Sequence, residues 1–110
     1  MDENRNPRII IHSSQHISYY SEQETAEYTR LEVQIIRQLH DAGVIESIDV
    51  AGEEPRYSEE KLALLRRARR LHDDLGINLE GVEVILRLYN RLETLQRELD
   101  HYRKRQGDAR

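Results

Sequence analysis

Apolar residues recur every three or four positions through most of the chain, the interval that places them on one side of an α-helix. Two stretches also carry a helix-start signal, a hydroxyl three positions before a glutamate: Ser21 with Glu24, and Thr29 with Glu32. This spacing is typical of a reciprocal capping box, in which the two side chains satisfy amides at the helix start. It predicts a short first helix over about residues 22–28 and a second helix that starts after a very tight turn.

The second predicted helix has one apolar side and one polar side. The apolar side consists of Leu31, Ile35, Ile36, Leu39 and Ala42. The side expected to face water consists of Glu32, Gln34, Arg37, Gln38 and Asp41. Gly43 follows the last apolar position and is a natural left-handed stop, so the helix is predicted to end there.

Two other parts of the chain favour extended structure. The β-branched run Ile9-Ile10-Ile11 predicts a short strand near the start of the sequence. Apolar residues between 44 and 50 suggest another strand, followed by a turn over 51–55 and a short return strand at Arg56-Tyr57. These last two strands would form a wing beside the helices.

A third helix is predicted after Ser58, whose hydroxyl can cap a helix that carries Glu59 and Glu60 in its first turn. Its apolar residues, which recur up to Gly76, are Leu64, Leu65, Ala68, Leu71 and Leu75. Asn78 can cap a fourth helix, which runs to about Arg105 without a proline.

The fourth helix carries a heptad seam, a row of apolar residues at steps of three and four. The seam consists of Ile85, Leu88, Leu92, Leu95, Leu99 and Tyr102. Val82, Leu86 and Tyr89 already form a separate inward face, and a helix this long projects beyond the core that the chain could build. We therefore expect the seam to pair with a second copy in a homodimer. The alternative is that the helix folds back on its own domain.

Composition narrows the class of protein. The chain of 110 residues has no cysteine, which excludes disulfides, thiolate zinc sites and cysteine nucleophiles. No apolar run is long enough to cross a bilayer, and the polar N-terminus lacks the pattern of an export signal. We expect a cytoplasmic protein of one domain, with no membrane association.

Acidic residues concentrate in the first half of the chain. Residues 1–57 have 11 acidic and 5 basic side chains, whereas residues 58–110 have 10 acidic and 12 basic ones. The stretch 39–65 alone carries seven carboxylates against Arg56 and Lys61. The predicted second helix and wing therefore lie in the acidic half.

The order helix, tight turn, helix, wing, helix and coiled-coil helix resembles the MerR-like winged helix-turn-helix superfamily over roughly residues 17–105. Matching residues are Ala26, Ile36-Arg37, Gly43-Val44-Ile45, Arg56-Tyr57-Ser58 and Leu75-Gly76-Ile77-Asn78-Leu79-Glu80-Gly81-Val82. Within that superfamily, the short chain, early strand and acidic reader helix are most similar to the CbpM-type chaperone modulators. The fold class expected is mainly α, with a short β wing and a long C-terminal coiled-coil helix. Its divisions would be a mobile segment 1–8, a winged helix-turn-helix domain 9–82, a dimerisation helix 83–105 and a mobile tail 106–110.

The resemblance to CbpM-type modulators implies a non-enzymatic adaptor that binds the J-domain of a DnaJ/CbpA-like co-chaperone and inhibits its chaperone activity. J-domains present a basic helix, which suits an acidic surface because complementary charge speeds encounter and fixes orientation. The expected partner-binding residues are Glu22, Glu24, Glu27, Glu32, Gln34, Arg37, Gln38 and Asp41. Each carboxylate in this set, taken singly, is better explained as a helix cap or a solubility residue, and only their collective charge favours a binding surface.

The alternative function is that of a small MerR-like DNA-binding transcription regulator, with the second helix in the major groove. DNA-binding members usually have a glycine at the helix-turn-helix corner and an aromatic pair after the arginine; here Arg30 and Gln38-Leu39 occupy those places. The basic run 66–70 should fan around the third helix rather than form one stripe. DNA binding is therefore disfavoured by charge.

Enzymatic and metal-dependent functions have weak support. His12 and His16 are four residues apart but lie in a stretch expected to be extended, with no third ligand nearby. Adjacent carboxylates such as Asp73-Asp74 do not converge on one point, and there is no phosphate-binding glycine loop. We expect no enzyme, no cofactor and no metal.

Overall fold

The computed structural model describes residues 9–11 and 17–108, a mainly helical chain with one small sheet. The predicted mobile segment 1–8 and the histidine pair His12 and His16 lie outside the described residues.

The sheet has three short antiparallel strands in the order β1-β2-β3. They are β1 Ile9–Ile11, β2 Ile17–Tyr20 and β3 Tyr57–Ser58. Ile10 lies opposite Ser18, and Tyr20 lies opposite Tyr57. The strand predicted at the start of the sequence is confirmed, whereas β2 was not predicted. The strand β2 leads directly into the first helix and so ties the helices to the sheet.

Helix α1 spans Glu22–Thr29 and starts with the predicted capping box: the amide of Glu24 donates to the Ser21 hydroxyl at 3.1 Å. Helix α2 spans Val33–Asp41, and Glu32, the residue just before it, makes no side-chain capping hydrogen bond. The second predicted capping box is therefore wrong. Thr29 is the last residue of α1, and its hydroxyl donates to the Thr25 carbonyl at 2.7 Å and accepts from the Leu31 amide at 3.4 Å, so it serves the turn before α2 and not the first amides of α2.

The segment after α2 departs from the predicted pair of wing strands. Val44 and Ile45 are buried in the core, and the return to extended pairing is a single bridge between Ile48 and Arg56. Tyr57 does not pair with the 44–50 segment but continues into β3 against β2. The wing is therefore a loop closed by one bridge.

Helix α3 spans Glu59–Arg69 and is capped by Ser58, as predicted. It continues into a π-helical turn, Arg70–Asp74, in which the Leu75 amide donates to the Arg70 carbonyl at 3.1 Å. This wider turn interrupts the helical pattern of apolar positions. Leu75, expected on the buried side of the third helix, is consequently 68% exposed.

Helix α4 spans Leu79–Asp108 and is 30 residues long, which corresponds to about 45 Å. The Asn78 side chain accepts from the Gly81 amide at 2.8 Å, which confirms the predicted cap. The helix extends past the predicted end at Arg105, so residues 106–108 belong to it rather than to a tail. None of the described helices is long and apolar enough to span a bilayer.

The core is formed by residues of β2, the α1–α2 turn, α2 and the segment after it, β3, α3 and the first part of α4, with α1 packed against α2 and α3. Its buried apolar residues are Tyr20, Leu31, Ile36, Leu39, Val44, Ile45, Tyr57, Leu62, Leu64, Leu65, Ala68, Val82 and Leu86. From residue 91 to residue 107 every side chain of α4 is exposed. The distal half of α4 is therefore solvated, and its residues Glu93, Gln96 and Arg97 border an open groove toward β2 and the start of α3.

Candidate functional site

An ion pair between Glu22 and Arg37 joins the two helices of the helix-turn-helix. The Arg37 guanidinium donates two hydrogen bonds of 2.9 Å to the two carboxylate oxygens of Glu22. The Glu22 side chain is only 8% exposed, whereas that of Arg37 is 63% exposed. Glu22 raises the pKa of Arg37, mainly through this hydrogen bonding. The pair neutralises the basic side chain that α2 presents to solvent.

The turn between α1 and α2 has the left-handed geometry that usually requires glycine. Arg30 has φ 63° and ψ 27°, and its amide donates to the Ala26 carbonyl at 2.9 Å. Arg30 therefore keeps the tight helix-turn-helix corner without the usual residue.

The end of α2 is fixed to the wing through His40. Its Nε2 lies 2.8 Å from the Ser47 hydroxyl, which in turn donates to Asp49 at 2.8 Å. The His40 ring also packs edge-on against Tyr57, with centroids 6.0 Å apart. Burial raises the pKa of the Tyr57 phenol, so that it stays neutral in the folded protein. The orientation of α2 relative to the wing is set by these contacts.

Helix α4 supports the same region from behind. Arg87 donates to the Ala42 carbonyl and Asn90 to the Val44 carbonyl, each at 3.1 Å. These bonds satisfy backbone groups just after α2 that no strand pairs. The helix-turn-helix therefore rests on a rigid support.

Most of the predicted partner-binding residues do share one exposed surface. We use the name α2 face for the exposed residues Glu32, Gln34, Arg37, Gln38 and Asp41. Glu27 on α1 is also exposed. Glu24 is half-buried and its carboxylate accepts from the Ser21 amide in the α1 cap, and Glu22 is buried beneath Arg37. Glu22 thus organises the surface from inside, and its expected role as an exposed contact is wrong.

Carboxylates outnumber free basic groups around the α2 face. On the face itself, Arg37 is already paired, while Glu32 and Asp41 remain exposed. On the wing, Glu53 and Glu54 are exposed, and Glu53 lies 3.4 Å from the Arg56 guanidinium. Phosphate groups would meet a negative potential on this side of the molecule.

The basic run of α3 does not form one stripe. Arg66 donates to the Tyr28 carbonyl at 3.4 Å, Arg67 stacks 4.7 Å from the centre of the Tyr89 ring, and Arg69 lies 3.6 Å from Asp74. These contacts point in three directions, as the sequence predicted. The sequence also suggested ion pairs from this run to Glu59 and Glu60, but none is formed within the described part of the chain, whereas the expected pair with Asp74 is present.

The described residues do not include a cluster of metal-ligating side chains. Across residues 9–11 and 17–108, no three histidine, aspartate or glutamate side chains are grouped to hold an ion. His40 and His72 are half-buried and engaged with Ser47 and Asp73, respectively.

The seam of α4 is largely open to solvent in the single chain. Ile85 is half-buried. The exposed fractions of the other members are 58% for Leu88, 64% for Leu92, 48% for Leu95, 42% for Leu99 and 58% for Tyr102. The inward face is confirmed, because Val82 and Leu86 are fully buried and Tyr89 packs on the core.

Comparison with known proteins agrees with this architecture. Residues 20–104 match the sequence model described as MerR HTH family regulatory protein. The chain is also 37% identical over 71 residues to a Streptomyces coelicolor protein described as heat shock protein HspR, an alignment that covers 64% of this chain and 47% of that relative. The chain thus spans about half the length of the relative. From the extent of the family match, the chain belongs to the MerR HTH family of regulatory proteins.

Proposed function

We propose that this family member is a non-enzymatic adaptor whose α2 face binds the J-domain of a DnaJ/CbpA-like co-chaperone and inhibits its chaperone activity. The observation that carries the proposal is the Glu22–Arg37 pair, which occupies the exposed arginine of α2, while Glu32 and Asp41 stay exposed, the latter 3.5 Å from the His40 ring. A protein that binds DNA needs unpaired cations at this place, since phosphate neutralisation supplies most of the affinity.

A basic helix of a partner fits the α2 face by charge and by shape. The exposed carboxylates can steer a cationic partner, while Gln34 and Gln38 between them can donate and accept hydrogen bonds. Because the helix pair is held by an ion pair and by α4, the face needs little reorganisation on binding. The choice of a J-domain rests on the resemblance to CbpM-type modulators.

The second candidate is a DNA-binding transcription regulator in which α2 enters the major groove. The family description and the similarity to HspR favour this candidate more than the adaptor. The left-handed corner at Arg30 also retains the helix-turn-helix geometry that such proteins use. Charge is the property that separates the two candidates.

We further propose that the protein works as a homodimer joined through the seam of α4. Five of the six seam residues are at least 42% exposed, and a continuous apolar row of this length is typical of an interface.

One variant distinguishes the two candidate functions, because it should weaken binding to a J-domain and strengthen binding to duplex DNA. Glu32→Lys combined with Asp41→Lys reverses the charge of the α2 face. In calorimetric titrations with a purified J-domain, the adaptor proposal expects binding to weaken by at least tenfold and inhibition of J-domain-stimulated ATPase activity to be lost. The DNA candidate instead expects tighter binding to duplexes selected from a random library.

The matched control carries the same charge change on α4, outside the α2 face, as Glu93→Lys with Asp100→Lys. Both control residues are exposed and lie outside the seam. The adaptor proposal expects near-native J-domain binding for the control. Sequence-selective duplex binding by the unmodified protein at ordinary ionic strength, without J-domain binding, would overturn the proposal.

A further inference from the structure

A groove with apolar walls lies between the π-helical turn and the first part of α4. Its volume is about 340 Å³, which falls within the range of about 300–1,000 Å³ for small-molecule sites. The apolar walls of this π-turn groove are Leu71, Leu75, Ile85 and Tyr89. Leu71 and Tyr89 also pack against the hydrophobic core, so their positions are fixed by the fold. The groove therefore has the size and the walls to hold the apolar body of a small organic molecule.

The π-helical turn Arg70–Asp74 shapes the open edge of the groove. Turns of this kind are rare and occur frequently at functional sites. Here the turn leaves Leu75 68% exposed beside the apolar walls. A molecule that enters the groove would remove this leucine from water, which is favourable.

Two arginines stand at the rim of the π-turn groove. The Arg67 guanidinium lies over the Tyr89 ring, 4.7 Å from its centre. Arg70 is exposed, and its guanidinium makes no hydrogen bond or ion pair within residues 9–11 and 17–108. A guanidinium presents its N–H donors in a planar fork that matches a carboxylate. The rim therefore offers unused donors to an anionic group.

A nearby carboxylate limits the charge that this anionic group can carry. Asp74 also lines the groove, where its carboxylate lies 3.6 Å from the Arg69 guanidinium. Asp73, the residue before it, is exposed as well. Repulsion from these two carboxylates is stronger for a doubly charged phosphate monoester than for a singly charged carboxylate. The charges of the rim thus favour a ligand with one carboxylate.

We propose that the π-turn groove binds a small amphipathic carboxylate, with Arg70 donating to the carboxylate and the apolar body lying against Leu75 and Ile85. Arg67 adds a second positive charge at the rim while it stays stacked on Tyr89. The groove shares no residue with the α2 face, so the inference goes beyond both candidate functions and does not depend on either.

Octanoate is the probe for this site, because it joins one carboxylate to a short apolar chain. In NMR titrations of isotope-labelled full-length protein, the amides of the π-helical turn should shift and saturate, and those of the α2 face should not. Octanamide has the same chain without the charge and should bind about tenfold more weakly, because it lacks charge-assisted hydrogen bonds to the rim. Octyl phosphate should also bind more weakly than octanoate.

Substitutions at exposed positions separate the part played by charge from the part played by the apolar walls. Arg70→Gln should weaken octanoate binding about fivefold and leave octanamide binding unchanged, because only the charged head contacts Arg70. Leu75→Ser should weaken binding of both probes. Arg103→Gln makes the same change at an exposed arginine of distal α4 and is the matched control, which should bind octanoate as the unmodified protein does.

Three results would overturn the inference. The first is the absence of saturable shifts at the π-helical turn, and the second is equal affinity for octanoate and octanamide or an Arg70→Gln variant that binds octanoate normally. The third is a set of shifts at these amides that follows protein concentration alone and does not respond to octanoate, because a second copy of the chain would then occupy the groove. Tighter binding of octyl phosphate would reject the carboxylate as the preferred head group.

Discussion

The ion pair between Arg37 and Glu22 shows how one buried residue can change the net charge of an exposed surface. Arg37 is the exposed basic residue of α2, yet its guanidinium donates two hydrogen bonds to the Glu22 carboxylate. A sequence shows an arginine on the polar side of a helix, but the partner lies 15 positions earlier on another helix. Residue type and helical spacing therefore predicted the location of Arg37 and missed its neutralisation.

The Glu22–Arg37 pair should respond asymmetrically to removal of its two members. Glu22→Gln keeps a hydrogen-bonding group and should lower the free energy of unfolding by about 1 kcal/mol. Arg37→Ala should cost more, because it leaves a carboxylate that is only 8% exposed without its partner. Urea denaturation measures both, with the exposed neighbour variant Gln38→Ala as the control. An equal or smaller loss for Arg37→Ala would contradict this account.

Tyr57 gives a prediction for alkaline pH. Burial raises the pKa of its phenol above the value of about 10 in an unfolded chain. Above that pH the unfolded state releases the proton while the folded state retains it, so the free energy of unfolding falls as pH rises.

Tyr57→Phe should reduce this alkaline loss of stability, measured by urea denaturation between pH 8 and about pH 11. At neutral pH the change should be within about 1 kcal/mol, because the Tyr57 hydroxyl has no hydrogen-bond partner among the described residues. An alkaline profile identical to that of the unmodified protein would show that Tyr57 does not govern it.

At the scale of elements, the turn between α1 and α2 retains its conformation at an energetic cost. Arg30 adopts a left-handed conformation that disfavours residues with a Cβ. Arg30→Gly should raise the free energy of unfolding by about 0.5–1 kcal/mol, after allowing for the greater freedom of glycine in the unfolded chain. Arg30→Ala keeps the Cβ and should give no such gain. Thermal denaturation of the two variants measures the difference.

The helices also show which local sequence signals were sufficient to predict where a helix begins. Ser21 and Thr29 carry the same spacing to a glutamate, but only Ser21 has the extended conformation, φ −68° and ψ 169°, that frees its hydroxyl to cap. The chain reverses after Thr29, at Arg30, so the second cap was misplaced. Local spacing predicted the existence of all four helices, and the position of a chain reversal decided where α2 begins.

The wing was predicted less well because its backbone partners are distant. Apolar residues at 44 and 45 suggested a strand, but their burial against α4 comes with hydrogen bonds from Arg87 and Asn90. These contacts span 45 and 46 positions, and no local pattern encodes them. The exposed α2 face, by contrast, followed directly from helical periodicity.

At the scale of the whole molecule, the seam should control the number of chains in the particle. Leu95→Lys places a charge in the middle of the seam and should yield monomers by light scattering, because a lysine there would have to be buried without a partner. Thr94→Lys carries the same side chain one position away, outside the seam, and should remain dimeric. An unchanged mass for Leu95→Lys would contradict dimerisation through α4.

Because the distal half of α4 is solvated, its helical content should depend on whether a second chain is bound. A segment of about 15 residues without tertiary contacts is only marginally helical in water. Residues 91–107 approach such a segment in the single chain, because all of them are exposed and, among the described residues, only Glu93, Gln96 and Arg97 border another part of the molecule. Their backbone amides should exchange quickly with solvent in dilute samples and slowly in concentrated ones, and ellipticity at 222 nm should strengthen with protein concentration. Helix formation in the distal half of α4 and dimerisation of the chain would then be one coupled equilibrium.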